Sequence, residues 1–136
     1  MGDLQILRWD NYINLFLEKT PVIAFAYFIT QKDGDLNFKP EHREIEFYDL
    51  FELEINGTDK WIINVDIDYF FTKPDGQNPI RLYSDEFIHA FGRWLSKKEA
   101  AAAQITICLS PECCGGWLNA IKVANILGEH LDFHLS

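Results

Sequence analysis

The chain has 136 residues, a formal net charge of −9, 48% apolar and 15% aromatic residues. That is one domain's worth, long enough to bury about two-thirds of the surface its unfolded chain exposes, so disordered and fibrous classes are excluded. The acidic balance argues against a nucleic-acid backbone or an anionic membrane as partner and suits a metal ion or a cationic substrate. The cysteines, Cys108, Cys113 and Cys114, form no C-x-x-C pair. Neither a disulfide framework nor a zinc ribbon is expected, and a reduced, cytoplasmic setting is. The longest apolar run, Val22 to Ile29, is too short to span a bilayer, and the N-terminus lacks the basic start and apolar core of a signal peptide.

Trp9, Tyr12, Ile13, Phe16 and Leu17 recur at i, i+3, i+4, i+7 and i+8, which predicts an amphipathic helix over 10–19, ended by Thr20-Pro21. The wholly apolar stretch over 22–29 predicts a buried strand. Gln31 to Asp35 is a polar turn, and residues 36–54, which interleave Glu44, Glu46 and Asp49 with Ile45, Phe47 and Tyr48, fit either a peripheral strand or a solvated loop. A turn at Asn56–Asp59 feeds the run Trp61 to Phe71, rich in Ile, Val and Phe with no Gly or Pro, which predicts a strand buried on both faces.

A breaker-rich loop from Thr72 to Pro79 follows. Ser84 as N-cap, Asp85 and Glu86 in the first turn, and an apolar face of Phe87, Ile88, Phe91, Trp94 and Leu95 predict a helix through about Lys98. Gln104 to Leu109 is another short strand, and Gly115-Gly116 allows a tight turn into a last helix marked by Trp117, Leu118, Ile121, Ala124 and Leu127, ending before Gly128. His89 reads as a packing residue, and His130 to His134 as a frayed tail. Strands joined by helices of this length pair in parallel through right-handed crossovers. The expected architecture is a single α/β domain over 1–136, a three-layer αβα arrangement with a mainly parallel sheet and ligands outside the C-terminal strand ends.

Asp66 and Asp68 stand out within that pattern. Aspartate is depleted in strands and costly to bury unpaired. On one continuous strand the two would share a face, about 6–7 Å apart, a spacing that suits a hard divalent cation. The same Asp-x-Asp could serve a haloacid-dehalogenase-type phosphatase, with one aspartate as nucleophile, the other as acid/base and Ser110 as phosphate-binding hydroxyl, although Phe70 stands where that motif carries Thr or Val. It could also hold a metal–nucleotide in a glycosyltransferase-like site, or serve a dinuclear metal hydrolase.

The segments Val65-Asp66-Ile67-Asp68-Tyr69-Phe70 and Ser110-Pro111-Glu112-Cys113-Cys114-Gly115-Gly116-Trp117, in that order, resemble the arginase-like family that includes peptide arginases, within the ureohydrolase superfamily. The resemblance runs from Trp61 to about Leu127, and more loosely includes Asn11-Tyr12-Ile13. It implies that Asp66 and Asp68 ligate manganese, two ions in the complete site, and that Glu112 is a substrate-binding or site-organising glutamate. Further ligands of arginase-like sites come from an Asp-x-His-x-Asp-type motif and another histidine upstream of the Asp-x-Asp strand. Only His42 precedes Asp66 here, so the resemblance is to the C-terminal half of the fold, in a truncated or split form.

The expected activity is hydrolysis of guanidino groups, on an arginine-containing peptide or a small guanidino compound, releasing urea. A metal ion would generate the hydroxide that such a poor electrophile needs. The alternative is a non-catalytic arginase-like binding or assembly domain. An exposed sheet edge would favour a homo-oligomer or a complementing polypeptide.

Overall fold

The computed structural model describes residues 12–31, 41–55 and 60–136, and the chain separates into two compact units, Met1–Leu50 and Phe51–Ser136. In the first, helix α1 (Tyr12–Lys19) buries Leu17 and carries Lys19 in its last turn, where a cation complements the helix dipole. Strands β1 (Phe25–Phe28) and β2 (Glu41–Glu44) pair in parallel from Phe25 opposite Glu41 to Phe28 opposite Glu44, and the Ile45 amide continues the ladder by donating to the Phe28 carbonyl at 2.9 Å. The apolar run over 22–29 is therefore strand only over Phe25–Phe28, and there it is half-buried rather than buried. Pro21 and Val22 lie in a turn closed by the Ile23 amide on the Thr20 carbonyl, which leaves Val22 84% exposed. For residues 36–54, the strand alternative holds over Glu41–Glu44. The turns expected at Gln31–Asp35 and Asn56–Asp59, and the start of the first helix with Trp9, fall outside the described residues apart from Gln31.

The second unit holds β3 (Trp61–Asp66), a 3-10 turn over Ile67–Phe70, β4 (Phe71–Thr72), β5 (Ile80–Arg81), α2 (Asp85–Lys98), β6 (Ala102–Cys108), the short α3 (Pro111–Cys114) and α4 (Trp117–Leu131). β3 and β6 are parallel, with Asp66 opposite Cys108, so both strands deliver their C-terminal ends to the same edge. β4 and β5 form a small antiparallel pair. This is the α/β pattern of parallel strands joined through helices that the element order predicts.

The long strand expected over 61–71 does not form. It stops at Asp66, and the chain coils so that Ile67 and Phe70 enter the core, both essentially inaccessible to water. Nor is β3 buried on both faces: Val65 is buried, but Ile62 is 59% exposed and Asn64 is exposed. The 3-10 turn is held by aromatic packing. Phe70 meets Phe91 edge-tilted at 5.9 Å, Tyr69 stacks on Tyr83 at 6.1 Å, and Tyr83 stacks on Phe87 at 4.7 Å.

α2 and α4 pack along one another. Ser84 caps α2 by accepting from the Phe87 amide, Asp85 and Glu86 occupy the first turn, and Lys97 and Lys98 the last, as predicted. Ile88, Leu95, Ala124 and Leu127 are fully buried. Gly92 is the point of closest approach, since a Cβ there would overlap the His130 ring.

The C-terminal end differs from the frayed tail expected. α4 continues past Gly128 to Leu131, Asp132 turns left-handed (φ 56°), and the Phe133 amide donates back to the Gly128 carbonyl at 3.1 Å. Asn125 then clamps Leu135 from both sides, accepting from its amide at 2.8 Å and donating to its carbonyl at 3.0 Å. Gly128 is thus not a stop signal but the site where Phe133 lies on the helix, because a side chain would collide with the Phe133 carbonyl. None of the described helices is long and apolar enough to cross a membrane.

Candidate functional site

Asp66 is the last residue of β3 and Asp68 the first-turn acid of the 3-10 turn that follows. Because the strand ends between them, they do not sit two positions apart on one strand face. Instead the coil brings their carboxyl groups into hydrogen-bonding contact. Asp66 acts as the N-cap of the turn: its Oδ1 accepts the Asp68 amide at 3.4 Å and the Ser110 hydroxyl at 2.8 Å. Ser110 arrives from the end of β6, which the parallel register places beside Asp66.

Both acids are half-buried. Burial, first, and then the neighbouring Asp66 charge and hydrogen bond push the Asp68 carboxyl from its ordinary 3.8 up to about 6, with the Cys113 thiol and the Lys73 ammonium pulling the other way. A cation beside the pair would favour the charged form of Asp68 and offset that rise.

Ser110 has φ 41° and ψ 54°, a left-handed conformation that is unusual for any residue but glycine and that costs about 1–3 kcal/mol. It is followed by α3, and Gly115 and Gly116, which join α3 to α4, also have positive φ. Lys73, from the loop after β4, donates to the Glu112 carbonyl at 3.1 Å, so it anchors α3 beside the acids. Glu112 itself is exposed and lines a cleft with Pro79, Pro111 and Trp117.

The thiols are poor candidates for chemistry. Burial and the Asp68 charge raise both neighbours, Cys114 to about 12, so neither is a thiolate near neutral pH. Cys113 and Cys114 form no disulfide and belong to the small-residue turn that α3 makes.

Two carboxylates with a hydroxyl beside them are a donor set that fits one hard divalent ion, which takes the rest of its shell from water or substrate. Among the described residues no third His, Cys, Asp or Glu joins them in a group that could hold a metal ion. The sequence singles out Asp66, Asp68 and Glu112; the structure brings Asp66 and Asp68 together with Ser110, there expected only as a phosphate-binding hydroxyl, and adds Lys73 on the Glu112 carbonyl. Strand register carries the signal for Ser110; nothing in the local sequence marks Lys73, whose contact spans 39 positions.

These observations define an α/β unit with two neighbouring half-buried carboxyl groups at the C-terminal edge of parallel strands, the edge at which such sheets bind ligands. Comparison of the chain with protein-family models, with curated proteins and with solved structures finds no match.

Proposed function

We propose that the chain is a metal-dependent hydrolase of guanidino groups, acting on arginine side chains in a peptide and releasing urea, with Asp66 and Asp68 as manganese ligands. The observation that carries this reading is the half-buried carboxylate pair in mutual contact at the strand edge, with Asp68 held near 6. Separated surface acids would have no reason to be brought together at this cost. When bound, the metal supplies a hydroxide at neutral pH. The Ser110 hydroxyl fixes the orientation of Asp66, Lys73 holds α3 in place, and Glu112 offers a carboxylate that can pair bidentately with a guanidinium.

A second reading, a binding or assembly domain without catalysis, is favoured by the capping bonds that satisfy Asp66 without any metal. Titration calorimetry with Mn2+ and urea release from a blocked arginine peptide separate the two. The hydrolase reading expects both signals from the wild type, and loss of both in Asp66→Asn and Asp68→Asn. Urea released equally by those variants would remove it; Mn2+ binding without urea would favour the second reading.

A further inference from the structure

We infer that the cleft beside Glu112 receives the residue adjacent to the basic side chain of a peptide substrate and selects an apolar one. This rests on the reading of Asp66 and Asp68 given above. The cleft, about 330 Å³, lies between the Gln77–Pro79 loop and the turn from α3 into α4, with Pro79, Pro111, Glu112 and Trp117 in its walls. That is room for a side chain or two and the backbone that carries them, not for a large cofactor.

Its surfaces are of two kinds. Pro79, Pro111 and the Trp117 ring are rigid and apolar, and Trp117 is 62% exposed although an indole is the costliest side chain to leave in water. Leu118 beside it is 83% exposed and Ile80, next to Pro79, 51%. The backbone is open at Gly116, where a Cβ would meet nothing within 4 Å, whereas Gly115 lies under the Asn119 side chain and the Pro79 ring. An extended chain could therefore approach the backbone at Gly116.

Glu112 relates the cleft to the acid pair. It lines the cleft, and it stands on α3 next to Cys113, whose thiol hydrogen-bonds Asp68. A basic side chain paired with the exposed Glu112 carboxylate would leave its neighbour on the Trp117 surface. Charge complementarity thus specifies a cationic residue and the apolar wall specifies what flanks it.

The test uses the full chain with Mn2+ and two end-blocked peptides, acetyl-Leu-Arg-Leu-amide and acetyl-Ser-Arg-Ser-amide, with dissociation constants from calorimetry and urea release in parallel. The leucine-flanked peptide should bind at least about tenfold tighter, since burying a leucine side chain is worth that much. The preference should fall below about threefold in Trp117→Ala, persist in Trp117→Phe, and survive in Glu112→Gln, which weakens both peptides alike. Trp117 is mostly exposed, so an unchanged melting temperature checks that Trp117→Ala folds. Equal affinities for the two peptides would overturn the inference. So would a preference that survives Trp117→Ala, equally tight binding of acetyl-Leu-Gly-Leu-amide, or a dimer that dissociates when Trp117 is replaced. Flank preference without urea would sink the hydrolase reading alone; urea without preference would sink the cleft alone.

Discussion

Along α2 and α4 the chain follows its local rules. Ser84 caps, acids open the helix and lysines close it, and Ile88, Leu95, Ala124 and Leu127 meet in a face sealed from water. At the β3–β6 edge it breaks them: Ser110 is left-handed, Gly115 and Gly116 have positive φ, and burial beside Asp66 raises the Asp68 carboxyl. The first region stabilises, and the second costs. Departures from local preference concentrate where a chain does something besides fold, and they persist only because well-packed elements over-determine them.

The contrast is sharpest in the helix pair. Leu95→Ala and Leu127→Ala should each destabilise by about 3 kcal/mol, the cost of a cavity in a closed core, measured by urea denaturation. A loss below about 1 kcal/mol would mean that the pair is not what supports the strained edge.

A smaller effect, of about 1–2 kcal/mol, is expected for Gly92→Ala. In a free helix that change would stabilise; here the methyl meets the His130 ring, which itself lies 3.0 Å from His89 through Nε2 and Nδ1. His130→Ala should restore most of the loss in a double-mutant cycle followed by thermal melts. Additive losses would show that the two helices do not meet at this point.

At the edge the sign reverses, and Asp68→Asn should stabilise at pH 7 by about 1 kcal/mol, a figure already reduced for screening at a half-exposed pair. The folded carboxyl is raised from 3.8 to about 6, so between those values the folded chain binds a proton that the unfolded chain releases. Stability should therefore fall as pH rises from 4 to 6 and level off above, and Asp68→Asn should flatten that slope. A wild-type profile rising over that window would contradict the contact between the two acids.

Much of this molecule is legible in its sequence. Helix α2 is predicted to its caps, because capping, charge order and a 3.6-residue apolar period are all local. The parallel pairing of β3 with β6 follows from the helix between them. The reach of β3 was misread because a run of Ile, Val and Phe describes a buried coil as well as a buried strand; Phe70 is apolar in order to meet Phe91, not a sheet neighbour. The tail was misread for a related reason, since Gly128 serves a contact with Phe133 rather than a helix stop.

By itself the sequence determined which residues carry charge at the strand edge and which faces are apolar, since both are properties of single side chains and their spacing. Only the tertiary structure decided that Asp66 and Asp68 touch, that the Ser110 hydroxyl donates to the first of them across 44 positions, and that Trp117 walls a cleft with Glu112. Those relations depend on where one strand stops and on the register it keeps with another, and no local preference encodes either.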